Sequence, residues 1–504
     1  NADGELFAYD ADMEWDMGMP WYRPTRVVHA TSGSEFGWRS GSGKWPTYYL
    51  DSLPPVVDIG PGSPVGVEFG YGCKFPEKYQ RALYICDWTF GTMYAIHLQP
   101  QGASYIGEKE EFLSRTPLPL TDVVAGADGA LYFTVGGRGT QSELFRVTYV
   151  GMEPTAAVDA TQTAGAPARR LRRQLEGLHA GISLAEALVN RMSDVRTAFE
   201  ELDSPDRFIQ YAARVAFEQM VSRVPQLTEE MDFRDHVESR DHLVQFATII
   251  ARTGRSELKP AILARMQAAD LATWDERETL DYLRALSLLF IRLGGPDDAA
   301  GSALLTKLEP LYPSKSPAIN RELSQMLVFL ESPTVVAKTV ALLKIPTPQA
   351  EVTIDPVLAR NSGYGGTIAQ MLRNRPDVER LWLAFVLRNA TVGWTLDLKK
   401  DFFQFLSDAR EWKGGASYQG FLTNMDAAIW DVTPDLERIA IEGAGVRKPF
   451  LLPELPKPKG PGREWTIEEV LAKAEGNLER GRDFKNGERA DAAARCIVCH
   501  RFAG

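Results

Sequence analysis

The sequence predicts a multidomain chain in three parts: an all-β stretch, an all-α stretch and a short helical tail. Three observations carry this. Short β-branched and aromatic runs between turn dipeptides fill residues 1–152, and apolar residues at helical spacing fill 168–445. The chain then closes on Cys496-Ile497-Val498-Cys499-His500.

In the first part, Leu6-Phe7-Ala8-Tyr9, Ala82-Leu83-Tyr84-Ile85-Cys86 and Ala130-Leu131-Tyr132-Phe133-Thr134-Val135 are strand-length apolar runs. Asp3-Gly4, Gln101-Gly102 and Asp128-Gly129 punctuate them as hairpin turns do. Asp3-Gly4-Glu5-Leu6-Phe7 and Asp128-Gly129-Ala130-Leu131-Tyr132 share one template, a turn followed by an apolar pair. Repetition of that template reads as blades of a β-propeller, here the C-terminal blades of a closed ring whose other blades would precede Asn1.

Several side chains in this part have candidate roles. Asp10, Asp12, Glu14 and Asp16 alternate, so in an extended segment their carboxylates share one face and suit calcium, with a solvated strand edge as the plainer reading. Trp15, Trp21, Tyr22, Trp38, Trp45, Tyr48 and Tyr49 suit either a sugar-binding mouth or, the favoured reading, the filling between blades. Cys73 and Cys86 are a disulfide in an oxidising compartment or two buried thiols. His29 and His97 lack the partner pattern of a catalytic base and read as structural.

Residues 153–167 form a Thr/Ala/Gly/Pro linker. Arg169-Arg170-Leu171-Arg172-Arg173 follows and reads as a solvated helix face. In Ser204-Pro205, the serine suits an N-cap and the proline the first helical position, with Phe208, Ile209, Ala212, Val215 and Ala216 on one face. Ser332-Pro333 opens a second such helix with Val336, Val340 and Leu343 inward.

Leu202-Asp203 and Leu330-Glu331 precede these openings about 128 residues apart, or about three periods of the 40–47-residue HEAT class. Residues 168–445 are therefore expected to be a HEAT-like solenoid, an architecture that presents docking surfaces. His179, His236 and His242 are scattered, and Glu229, Glu230, Asp232 and Asp235 read as a solvated helix end.

Residues 446–463 are Pro-rich and predict a semi-rigid spacer. Thr466 with Glu469 makes a capping box, with Trp465 placed to staple the helix start. Alanines at 490 and 492–494 carry helix propensity up to the cysteines. Residues 464–504 thus read as the N-terminal part of a cytochrome c domain, with Gly487 in the place of its helix-packing glycine. Asp491 stands where an aromatic is expected, and Phe484 is the candidate substitute.

Cys-x-x-Cys-His is the attachment sequence for haem c: two thiols one helical turn apart form thioethers to the porphyrin, and the adjacent imidazole ligates iron. Cys496 and Cys499 are the covalent anchors and His500 the axial ligand. The rivals are a thiol-redox pair and a zinc half-site, but zinc requires a second ligand cluster at suitable spacing that this sequence lacks.

A net charge of -11 and a pI near 5.3 exclude an extended basic nucleic-acid interface. No run approaches the ~20 apolar residues of a membrane-spanning helix. The chain starts and stops in mid-pattern, so a signal peptide is expected upstream of Asn1, and haem chemistry places the intact protein in the periplasm or another extracytoplasmic space. The haem segment is expected on an exposed tail.

Gly33-Ser34-Glu35-Phe36-Gly37-Trp38, Phe75-Pro76 with Ala82-Leu83-Tyr84-Ile85, and Asp122-Val123-Val124-Ala125-Gly126-Ala127-Asp128-Gly129-Ala130-Leu131-Tyr132 resemble segments of the glucose and sorbosone dehydrogenase group of propellers. Taken whole, the chain resembles the membrane-bound dehydrogenase family of planctomycetes and verrucomicrobia, which joins such a propeller to helical repeats and a haem c domain. The resemblance implies oxidation of a sugar or alcohol at the propeller, with electrons leaving through haem to a redox partner protein or other acceptor.

Two departures count against pyrroloquinoline quinone. Leu118-Pro119-Leu120-Thr121-Asp122 replaces the quinone-binding relatives' Arg-x-Arg-Asp run, and Trp88 stands where they carry a cofactor-contacting lysine. The family's catalytic histidine would lie before Asn1, so no catalytic residue is assigned here. The alternative is a non-catalytic carbohydrate- or protein-binding scaffold with a redox tail.

Overall fold

Every residue of Thr25–His29 and of Leu83–Asp87 is buried, so both faces of these two strands are covered. The computed structural model describes residues 1–137, 139–181, 192–223, 239–349, 351, 353–361, 363–448, 456–457, 462–474 and 483–496. The chain divides into two compact units, Asn1–Lys448 and Pro449–Gly504.

In the first unit, β1 (Phe7–Asp10), β2 (Thr25–His29) and β3 (Val57–Gly60) form one antiparallel sheet. A second comprises β4 (Pro64–Phe69), β5 (Leu83–Asp87), β6 (Thr92–Gln101) and β7 (Ser104–Ser114), and a third β8 (Leu120–Ala125), β9 (Leu131–Gly137) and β10 (Thr140–Val147). Each strand pairs with its sequence neighbour. Two of the three turn dipeptides fall in hairpins as expected: Gly102 and Ala103 join β6 to β7, with Gln101 opposite Ser104, and Asp128-Gly129 lies between β8 and β9, whereas Asp3-Gly4 precedes β1 with no strand before it among the described residues.

Successive side chains of β5 point to opposite faces. Leu83 and Ile85 pack with Phe7, Val27 and Ile59 of the first sheet, whereas Tyr84 and Cys86 pack with Leu120, Val123 and Phe133 of the third. Cys73 and Cys86 are free, buried thiols on that second face, and burial pushes them up to about 11 and about 12. They are a structural pair of small apolar residues rather than a disulfide.

From Ala166–Glu176 to Asp435–Ala444 the regular elements among the described residues are helices. Packing runs along the chain: Arg240–Thr253 lies on Glu276–Leu293, that helix on Pro317–Phe329, and that one on Val378–Leu387. Val336, Val340 and Leu343 point inward from Val335–Leu343 as expected.

The other helix opening differs from expectation. The helix is Arg207–Arg223, and its cap is Asp206: Oδ1 accepts from the Phe208 amide at 2.9 Å and the Ile209 amide at 3.3 Å. Asp206 Oδ2 also accepts from the Ala103 amide at 2.6 Å, so one carboxylate caps the helix and seals the β6–β7 hairpin. Ser204 has no such reach. Asp206→Ala is expected to cost about 2 kcal/mol in chemical denaturation, the upper end for a lost cap, because a hairpin donor is orphaned with it.

The two halves of this unit share one core. Trp21, Leu50 and Leu53 belong to the same buried cluster as Phe217, Leu286 and Phe402. Segment 153–167 is fastened to the strand half: Gln80 Nε2 donates to Ala156 O at 2.9 Å, and the Gln162 amide donates to Asp3 Oδ1 at 3.1 Å. The change of composition there marks a change of element type within one compact unit.

The basic run is a further correction. Arg169 and Arg172 are each only 1% exposed. Arg169 donates to the Gln162 carbonyl at 2.5 Å and the Ala164 carbonyl at 2.8 Å. Arg172 bridges Glu5 at 2.5 Å and Glu176 at 2.6 Å.

In the second unit, helices Ile467–Ala474 and Phe484–Ala493 are described. The Thr466 capping box is formed: the Thr466 amide donates to Glu469 Oε2 at 3.1 Å, and the Glu469 amide to Thr466 Oγ1 at 3.3 Å. Trp465 is 46% exposed and carries the Arg463 guanidinium 3.7 Å from its ring centroid.

Candidate functional site

The segment leading to Cys496 is built from its own helix. Asp483 caps it by accepting from the Asn486 amide at 3.0 Å, and regular helix runs to Ala493. Helix propensity thus carries close to the motif. Arg495 turns the chain with φ 63, the left-handed conformation that ends many helices and is usually given to glycine. Cys496 follows as a free, exposed thiol. Cys499 and His500 lie outside the described residues, as do His236, Glu229, Glu230, Asp232 and Asp235.

Haem c attachment requires thiols that are neither paired nor enclosed, and Cys496 meets both conditions. Cys73 and Cys86 do not, because both are buried. The donor set of two soft thiols and one imidazole suits haem rather than calcium or magnesium, which take oxygen ligands.

The acidic group near the N-terminus is dispersed. Only Asp10 belongs to β1, and Glu14–Asp16 form a 3-10 turn, so the period of two breaks after Asp10. Asp10 accepts from Arg26 at 3.0 Å, Asp12 from the Tyr22 hydroxyl at 2.8 Å, and Asp16 from Lys44 Nζ at 2.5 Å. Among the described residues no group of three or more His, Cys, Asp or Glu side chains is placed to hold a metal ion. The proposed calcium face therefore has no geometric basis.

Burial pushes Asp12 up to about 7, against the lowering effect of the Tyr22 hydrogen bond. Its ordinary value is 3.8, so between those limits the folded chain binds the extra proton and this group's contribution falls as pH rises. Asp12→Asn is expected to raise Tm at about pH 8 and change it little at about pH 4, as thermal melts at the two values would read.

Four of the aromatic group, Trp21, Trp45, Tyr48 and Tyr49, pack against helices. Trp21 is fully enclosed, 4.9 Å from Phe385 and 4.7 Å from Phe421 between ring centroids. Tyr48 and Tyr49 donate to Glu322 at 2.7 Å and 3.2 Å. Trp45 and Tyr49 lie 4.6 Å and 3.9 Å from the Arg284 guanidinium. Trp15 and Trp38 are exposed, and Tyr22 lines a cleft.

Four histidines are structural. His97 pairs with Glu110 across β6 and β7 at 2.7 Å, His179 bonds the Ala212 carbonyl at 2.9 Å, and His242 bonds Ser239 at 2.8 Å. His29 lies between Ser104 on Nδ1 and Glu5 on Nε2, both at 2.9 Å. Burial lowers the imidazole's pKa, which suits a neutral ring donating to Glu5 and accepting from Ser104. For Glu5, burial pushes upward, but the His29 hydrogen bond and the Arg172 charge outweigh it and hold the carboxyl at about 2. The order resembles a serine–histidine–acid relay, yet Ser104 and His29 are buried, and the network ties β2, β7 and helix Ala166–Glu176 together.

Sequence reading missed this network and the Asp51–Arg284 pair. Their partners lie 167 and 233 residues apart, beyond any local pattern.

No protein-family model matches this chain, and no curated protein matches it. One solved structure similar to part of it is described as an oxidoreductase (glucose dehydrogenase) from Thermus thermophilus. It is 21% identical, with 28% of this chain and 41% of that chain covered and a TM-score of 0.21. The chain thus spans less than half of that protein's length, and a likeness of that degree carries no argument.

Proposed function

We propose that this chain is part of an exported haem c electron-transfer protein, joined to a sugar- or alcohol-dehydrogenase-like propeller and a HEAT-like helical array. The carrying observation is Cys496-Ile497-Val498-Cys499-His500, whose first thiol is free and exposed just beyond a helix end. Cys496 and Cys499 would hold the haem by thioethers and His500 would ligate its iron, and the group would supply one-electron transfer.

Other features support the wider reading without deciding it. The four-stranded β4–β7 meander has the strand order of a propeller blade, and successive helices pack along the chain. No helix among the described residues is long and apolar enough to cross a membrane.

The test is to express the complete gene in a host competent for c-type maturation and to stain a denaturing gel for haem. A haem band is expected, abolished by Cys496→Ser with Cys499→Ser. A second reading, a binding scaffold without turnover, draws on the commitment of Trp21, Trp45, Tyr48 and Tyr49 to internal packing. Haem present but not reduced by any sugar or alcohol would favour that reading.

A further inference from the structure

A cleft of about 490 Å³ opens in the first unit, between the loop preceding β2 and the helices Tyr364–Arg373 and Val378–Leu387. That is the size of a small-molecule site, and its walls are mostly apolar, as such sites are. Met17, Tyr22, Pro24, Ile368, Met371 and Leu372 supply much of them. Met17 and Ile368 belong to a satellite core with Phe90 and Leu358, against which Tyr22, Met371 and Leu372 also pack.

The walls are held from both sides. The Gly415 amide donates to Met17 O at 2.6 Å, and the Lys413 amide donates to Asn374 O at 3.0 Å. Gly18 has φ +86, and a Cβ there would come within 2.8 Å of Pro376, so the loop can close on the helices only with glycine. The cleft is preformed.

Its charges are unequal in availability. Asp377 is buried and engaged by the Thr347 amide at 2.8 Å and Arg380 Nε at 2.7 Å, while both Glu379 oxygens are taken by Arg321 at 2.7 Å and 2.6 Å. Arg375 donates to Gln349 at 2.6 Å along the same wall. Lys413 lines the cleft, is exposed, and has no ion-pair partner among the described residues. The anions are satisfied by their own partners, and an ammonium is left facing solvent.

We propose that this cleft binds a small amphipathic anion, with its apolar body on the Met17, Ile368 and Met371 wall and its anionic group at Lys413. A neutral sugar is the wrong chemistry for it, because so apolar a lining offers few partners for hydroxyl groups. The proposal is independent of haem attachment, since the cleft lies wholly within Asn1–Lys448.

The test uses two fluorescent probes on the full chain: anilinonaphthalene sulfonate, which has an apolar body and one anionic group, and its neutral counterpart N-phenylnaphthylamine. Saturable binding of the sulfonate at one site per chain is expected. Lys413→Glu should weaken it about five- to tenfold, as reversal of one exposed charge allows, and leave the neutral probe unchanged. Met371→Trp, which fills the cleft, should weaken both. Lys413 is exposed, so its variant tests the idea even if Met371→Trp folds poorly. Absence of one-site binding, or sulfonate affinity unchanged in Lys413→Glu, would overturn the proposal.

Discussion

Arg284→Ala is expected to destabilise the first unit by about 3–5 kcal/mol, measured by denaturant titration near neutral pH. Asp51 is 0% exposed, and Arg284 donates to its two oxygens at 2.8 Å each. Removing the guanidinium leaves a carboxylate in the core without its bidentate partner, with Arg252 at 3.9 Å and the charge of Arg214 as partial compensation. It also strips the cation from the faces of Tyr49 and Trp45. Burial alone would raise the Asp51 pKa, but hydrogen bonding and charge from Arg284 reverse this and lower it below 3.8. That stabilisation is present above the unfolded value and is lost as pH falls through the folded one. The deficit of Arg284→Ala should therefore be largest near neutral pH and shrink in acid, where the stranded carboxyl can protonate.

Trp21→Ala should cost a similar ~3–5 kcal/mol, since it empties a fully enclosed site between Phe385 and Phe421. Trp21→Phe should cost far less. It loses volume but also removes Nε1, a buried donor without a hydrogen-bond partner. The pair of variants separates packing at the junction from simple loss of an aromatic.

What was legible in the sequence was what neighbours in sequence decide. Two turn dipeptides located hairpins, and Thr466 with Glu469 located a helix start to the residue. What was not legible depended on distant partners. Arg169 and Arg172 look like any exposed basic run until Glu5, Gln162 and Ala164 enclose them. Ser204-Pro205 carries a stronger local cap signal than Asp206, but only Asp206 meets the Ala103 amide as well. The alternating carboxylates failed as a set because the strand stops at Asp10, which no residue count from Asp10 to Asp16 reveals.

Haem attachment has the opposite character. Its evidence is local and chemical, and among the described residues the structure adds one fact to it, the free and exposed Cys496. The most direct measurement is peptide mapping by mass spectrometry of the full-length protein matured for export, with thiol alkylation. The peptide spanning Cys496 to His500 is expected to carry one haem, with Cys496 and Cys499 resistant to alkylation and Cys73 and Cys86 labelled only after unfolding. A peptide without haem, with Cys496 and Cys499 both alkylated or joined to each other, would contradict haem attachment.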